Sequence, residues 1–156
     1  MNVQELSVIF RKLGARNPEA WAHSQLEENI PQLARFLFLR QAWKLVIGEN
    51  DPGWISEMGQ IDSKKPGGDI GPAITQLLVG GGREDDLTRV VRVMQWKVLS
   101  RFCQLLDDPG SIEKEARNIA WRLFQVDEND RPIAIIGGLA ESVLETEPTG
   151  QEMRPT

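Results

Sequence analysis

Arg89, Arg92 and Trp96 form the arrangement in this sequence that is best suited to ligand recognition. They are spaced by three and four residues, so on a helix they lie along one strip. In such a strip a guanidinium group can stack on the indole ring or donate two hydrogen bonds to a carboxylate. The predicted binding residues are these three and Trp54. A second interpretation is that the arginines only pair with the acidic C-terminal segment folding over them.

The residue types that most enzymes use for acid–base or nucleophilic chemistry are scarce. The chain has one histidine, His23, and one cysteine, Cys103. Neither an HExxH nor a CxxC motif is present, so we predict no metal site. Cys103 belongs to an apolar helical pattern and His23 to a short surface helix, which argues against a Cys–His pair. We therefore name no catalytic residue and no cofactor, and the sequence favours a protein that is not an enzyme.

The glycine-rich and acidic stretches also lack the patterns of known ligand loops. Gly80–Gly82 precedes Arg-Glu-Asp rather than Lys-Ser/Thr, so it does not match a phosphate-binding loop. The acidic run from Asp127 to Asp130 is followed by Arg131-Pro132, which breaks the calcium-loop pattern. A helix end and a hairpin turn are the better interpretations.

The segment from Asp86 to Asp107 predicts the long helix around which the rest of the chain is organised. Its apolar residues recur at three- and four-residue spacing and form one broad stripe: Leu87, Val90, Val91, Met94, Val98, Phe102 and Leu105. Trp96, Leu99 and Cys103 form a second apolar strip on the opposite side. A helix that is apolar on two sides needs neighbours on both, so we expect both strips to be buried.

The remaining patterns predict shorter helices and one hairpin. Helices are expected over residues 3–13, 17–30, 32–48, 72–80 and about 111–118, and the segment 139–147 is either a short helix or extended. Turn residues between two β-branched runs predict a hairpin over about 119–136. The predicted fold class is mainly α (α+β): a compact helical domain around the long central helix (about 86–107) with a C-terminal β-hairpin. Residues 1–147 are expected to form a single globular domain and 148–156 a loose tail, while the role of the 49–71 loop stays open.

Charge and composition limit the partners. The formal net charge is −5, and residues 123–156 hold seven acidic and two basic side chains. An acidic chain is a poor match for a nucleic-acid backbone, so nucleic acid is disfavoured as a partner. A single cysteine, the absence of a leader-like N-terminus and the absence of a long apolar run predict a cytoplasmic protein with no membrane association.

These observations favour a small non-catalytic protein-binding module, such as an inhibitor, immunity or adaptor protein. Its acidic surface would suit a basic protein partner by steering association. The alternative is a small-molecule-binding protein or an enzyme that uses carboxylate and arginine side chains, with a pocket between the 63–69 loop and the central helix. A structural subunit of a larger assembly is a third hypothesis.

Overall fold

The computed structural model describes residues 1–108 and 118–154, and this part of the chain is mainly helical. The helices are α1 (Val3–Lys12), α2 (Pro18–Glu27), α3 (Gln32–Trp43), α4 (Gly53–Gly59), α5 (Ile70–Val79), α6 (Glu84–Asp107) and α7 (Leu139–Ser142). Two antiparallel strands, β1 (Phe124–Val126) and β2 (Pro132–Ile135), form the hairpin. The predicted fold class, with its long helix and C-terminal hairpin, is confirmed.

The chain divides into two compact units. The first contains residues 1–45 and the chain from Leu99 onward, and the second contains residues 46–98. The first fifteen residues of α6 therefore belong to the second unit and the rest of the helix to the first. The prediction of one domain over 1–147 followed by a tail stays a prediction.

The first unit is built on an aromatic cluster from its three N-terminal helices. Phe10 of α1 stacks on Trp21 of α2 at 5.9 Å between ring centroids, and Phe36 of α3 meets both rings edge-on. Such edge-to-face and offset pairs stabilise beyond their buried area. The start of α1 is closed by a capping box, in which Asn2 and Glu5 satisfy each other's backbone N–H groups.

The C-terminal part of the chain is held to this cluster by long-range hydrogen bonds. The indole N–H of Trp43, at the end of α3, donates to the carbonyl oxygen of Val143 at 2.8 Å. Arg16 donates to the carbonyl oxygens of Glu145 (2.6 Å) and Gly150 (2.8 Å). The segment after α7 therefore has a defined path as far as Gly150.

The acidic run from Asp127 to Asp130 forms the turn of the hairpin, where the sequence pattern placed it. The Asp127 carboxylate accepts from the backbone N–H groups of Asn129 (2.8 Å) and Arg131 (3.0 Å). Asp130 takes a positive φ of 60°, which aspartate tolerates in tight turns. The acidic side chains are thus part of a turn.

In the second unit, α4 and α5 pack together and α4 is tied to α6. Trp54, the buried residue of α4, donates its indole N–H to the hydroxyl of Thr88 on α6 at 3.0 Å. Successive turns carry the chain from Asp62 to the start of α5. Gly68 is buried there, and a Cβ at this position would lie 2.3 Å from the carbonyl oxygen of Asp62, so only glycine fits.

Two helix predictions differ from the structure or lie outside it. The helix expected over 32–48 ends at Trp43. Beyond it, the backbone N–H groups of Lys44 and Leu45 donate to carbonyl oxygens three residues earlier, those of Gln41 and Ala42, and not four residues earlier as in an α-helix. The backbone groups of Ile47 are bonded to side chains of α6, which removes them from a helical ladder. The helix expected over about 111–118 lies almost wholly outside the described residues.

Replacing Trp43 by phenylalanine tests the link between α3 and the C-terminal segment. The Val143 carbonyl oxygen loses the indole N–H but keeps the hydroxyl of Thr146 as a donor at 3.0 Å, so we expect Trp43→Phe to lower the free energy of unfolding by about 0.5–1.5 kcal/mol. Trp121→Phe is the matched control, since its indole also donates to a carbonyl oxygen, that of Leu105, but from an exposed side chain. Urea denaturation followed by circular dichroism measures both. An equally small effect of the two changes would show that the Trp43 bond contributes little.

Candidate functional site

Polar side chains on one side of α6 fix the orientation of that helix. Thr88 accepts the indole N–H of Trp54, the guanidinium group of Arg92 donates to the carbonyl oxygen of Ile47, and the amide oxygen of Gln95 accepts the N–H of Ile47 at 2.8 Å. Thr88 and Arg92 are buried. Because these residues are spaced by four and three, they lie on one side of the helix. That side faces the protein.

A second stripe of α6 is apolar and exposed. Its exposed fractions are 59% for Val90, 59% for Met94, 65% for Val98, 51% for Phe102 and 45% for Leu105. We call these five residues the outer face of α6. The expectation that this stripe is buried is therefore wrong for all five. The error has a physical reason: polar side chains, and not this stripe, make the contacts that orient the helix.

The four predicted binding residues do not share one exposed surface. Arg92 and Trp54 are buried, Arg89 is exposed, and Trp96 is half-buried. The indole nitrogen of Trp96 is buried and has no hydrogen-bond partner within the described residues, while the ammonium group of Lys97 lies 4.4 Å from the centre of its ring. Arg92 and Trp54 have contacts that stabilise the fold. Their role in binding stays a prediction.

Sequence reasoning missed Thr88 and Gln95. A signal for them was present, because Thr88, Arg92 and Gln95 form a polar strip along a helix that is otherwise largely apolar. A polar strip between two apolar ones indicates the buried side only if buried hydrogen-bond partners are available for it. Two of those partners are backbone groups of Ile47: its carbonyl oxygen accepts from Arg92, 45 residues later, and its N–H donates to Gln95, 48 residues later.

The hairpin also presents an apolar face to solvent. Phe124 pairs with Ile135 across the two strands, and both side chains are exposed, as are Val126 and Ile133. The side chains that alternate with them, Gln125 and Ala134, are half-buried. A two-stranded hairpin is at best marginally stable alone, so an exposed apolar face on one is unusual.

A third group of residues, in the first unit, perturbs the titration of two side chains. Burial raises the pKa of the Cys103 thiol to about 11, and the nearby negative charge of Asp107 adds to the effect. Burial lowers the pKa of Arg35, and Asp107, Glu141 and Glu28 partly offset this. Asp107 also accepts the backbone N–H of Ala140 at 2.8 Å, close to the start of α7. This group joins α3, α6 and α7 and is structural.

The pocket expected beside the 63–69 loop differs in its lining from the prediction. A depression of about 740 Å³ in the second unit is lined by parts of α4 and α5 and by Asp69, and neither Arg89 nor Arg92 lines it. Within residues 1–108 and 118–154, no three His, Cys, Asp or Glu side chains are grouped in a way that could hold a metal ion. In the same residues, no helix combines the length and apolar character needed to cross a bilayer.

Comparisons of the chain with protein families, with curated proteins and with solved structures found no match. The outer face of α6 is the feature of this molecule that most strongly indicates a binding partner.

A pair of arginine variants separates a structural arginine from an exposed one. Arg92→Met leaves the carbonyl oxygen of Ile47 without a charged donor, so we expect the free energy of unfolding to fall by about 1.5–3 kcal/mol. Arg89→Met, on the exposed side of the same helix, should change it by no more than about 0.5 kcal/mol. Chemical denaturation of both variants measures the difference. Equal effects would contradict the structural role of Arg92.

The raised pKa of Cys103 predicts a loss of stability at alkaline pH. The unfolded thiol ionises near pH 8.5 and the folded one near 11, so between these values the unfolded state binds fewer protons and stability falls as the pH rises. We expect a fall of up to about 3 kcal/mol over this range. Cys103→Ala removes the titrating group. Subtracting its pH profile from that of the wild type, both from urea denaturation, isolates the effect, and a flat difference would contradict the prediction.

Proposed function

We propose that this chain is a small non-catalytic protein-binding module that docks an amphipathic helix of another protein on the outer face of α6. The observation that carries the proposal is the exposure of Val90, Met94, Val98, Phe102 and Leu105 along one side of a single helix. Exposed apolar residues are ordinary when scattered, but a contiguous apolar patch on a soluble protein marks an interaction surface or an aggregation hazard.

The shape of the outer face favours a helix as its partner. From Val90 to Leu105 it is about 22 Å long, at about 1.5 Å per residue. Its side chains recur every three to four residues, and a second helix with the same periodicity can place its own apolar ridge into the grooves between them. Complete burial of a Val, Leu, Phe or Met side chain is worth about 1.5–3 kcal/mol relative to exposure. Several such side chains provide the apolar centre of an interface.

The local charge favours a partner helix with acidic residues beside its apolar side. Between Leu87 and Leu106, α6 carries basic residues and no acidic one. Lys97 and Arg101 are exposed and lie beside the outer face by helical geometry. Net charge suggested a basic partner, but the acidic residues of α6 lie at its ends, in Glu84–Asp86 and at Asp107. The charge next to the docking surface therefore supports an acidic partner segment.

The apolar face of the hairpin supports the same class of function. Phe124, Val126, Ile133 and Ile135 are exposed on a two-stranded sheet, and a bound protein would shield them from water. Inhibitors, immunity proteins and adaptors act through surfaces of this kind. The single buried thiol of Cys103 fits a reducing compartment such as the cytoplasm.

A photocrosslinking amino acid at position 94 or 98 tests the docking surface in cells of the native host. We expect it to trap one protein, and mass spectrometry should map the attachment to an amphipathic segment with Asp or Glu beside its apolar side. The affinity for that segment should then fall at least about tenfold in the double variant Met94→Glu, Val98→Glu, because two buried anchors are lost and two charges are added.

The matched control is Leu45→Glu, Val79→Glu, which makes the same kind of change at apolar residues that are 79% and 84% exposed and lie outside α6. It should bind within about twofold of the wild type, as expected for residues outside the interface. A crosslink only to a second copy of this chain would overturn the proposal, as would unchanged affinity of the Met94, Val98 variant. A larger fall in its melting temperature than in the control would place the outer face inside the fold and would also overturn it.

A further inference from the structure

The first unit contains a cleft of about 450 Å³ that is independent of the outer face of α6. It lies between the end of α1, one side of α3 and the segment that follows α7. Its volume is within the usual range for small-molecule sites, about 300–1,000 Å³. Its lining combines an apolar floor with charged groups.

One wall of the cleft is held in place by hydrogen bonds that do not depend on a ligand. Arg16 donates to the carbonyl oxygens of Leu144, Glu145 and Gly150, which fixes the backbone of that wall. The buried carboxylate of Glu147 accepts from the N–H and the hydroxyl of Thr149, at 3.1 and 2.6 Å. Because this wall is already ordered, binding of a ligand does not carry the entropic cost of ordering it.

The opposite side comes from α3, which places aromatic and basic residues together. Phe36, Arg40, Trp43 and Lys44 all line the cleft, since their spacing puts them on one side of the helix. Phe36 and Trp43 are buried and provide the floor, whereas Arg40 and Lys44 are exposed. Within the described residues, Arg40 and Lys44 have no hydrogen bond or ion pair from their side chains.

Arg40 and Lys44 are four residues apart, and like charges at this spacing repel each other. The helix dipole favours basic residues in the last turn of α3, which accounts for one positive charge there. It does not account for a second cation beside an aromatic floor. An anion placed between the two groups would remove their repulsion, and arginine is well suited to bind a carboxylate through two parallel hydrogen bonds.

We propose that this cleft binds a small monocarboxylate with an apolar body, with the carboxylate at Arg40 and Lys44 and the body against Phe36 and Trp43. The charge of the other wall selects this class of ligand. Glu145 and Glu147 line that wall, and the cation there, Arg16, is already paired with Glu152, so a second anionic group on the ligand would be repelled. A ligand with one anionic end and an apolar remainder matches both sides of the cleft.

Isothermal titration calorimetry with octanoate and 3-phenylpropanoate tests the proposal, with the primary amides of the same acids as matched ligands. At least one acid should bind the wild type about tenfold or more tightly than its amide, because the amide lacks the charge that Arg40 and Lys44 recognise. The double variant Arg40→Gln, Lys44→Gln should weaken binding of that acid at least about tenfold. Both positions are exposed, so the variant should keep the melting temperature of the wild type.

Lys64→Gln, Lys65→Gln is the control variant, since it removes the same charge from an exposed basic pair in the second unit. It should bind the acid within about twofold of the wild type. Shifts of the backbone amide signals of residues 145–147, 149 and 150 on titration should accompany binding. A specific site is expected to bind with a dissociation constant below roughly 10 mM, so the proposal is overturned if neither acid binds up to that concentration. It is also overturned if acid and amide bind equally, or if the Arg40, Lys44 variant binds the acid as tightly as the control variant does.

Discussion

The orientation of α6 about its own axis is set by three polar contacts. Trp54 donates to Thr88, Arg92 donates to the carbonyl oxygen of Ile47, and Gln95 accepts from the N–H of the same residue. Rotating the helix would leave a buried guanidinium group and both backbone groups of Ile47 without these partners, and each buried polar group left without a hydrogen bond costs about 1–3 kcal/mol. With the helix held in this orientation, the apolar stripe is exposed to solvent.

An exposed apolar stripe and an exposed apolar hairpin face are hard to explain in a chain that acts alone. The first unit has a well-packed interior, in which Phe10, Trp21 and Phe36 contact one another. The chain can therefore bury aromatic residues. Apolar residues left outside such a core indicate a surface that is covered in use. The cleft beside α3 differs in character, because its charged groups lie at the rim of an aromatic floor.

Local patterns predicted the elements well, and long-range partners explain the differences. The periodicity of α6 and the turn residues around Asp127 are local features, so the long helix and the hairpin could be predicted. Which side of α6 is buried depends on Ile47, which lies 45 and 48 residues before its partners Arg92 and Gln95, and the same two bonds keep Ile47 out of a helical ladder. The cleft could not be predicted either, because Arg16 and Gly150 are 134 residues apart. A sequence pattern does not show which distant backbone groups will be within reach.

The hydrogen bond from Trp43 to Val143 has a consequence for the order of events during synthesis. Its two residues are 100 positions apart, so a ribosome adding about 5–20 residues per second makes the acceptor about 5–20 s after the donor. The aromatic cluster of α1, α2 and α3 needs only the first 36 residues and can form in that interval. Trp43 must wait, with its indole N–H bonded to water, until the C-terminal segment emerges. The nascent chain therefore has a period in which its N-terminal helices are assembled and one side of α3 is still open.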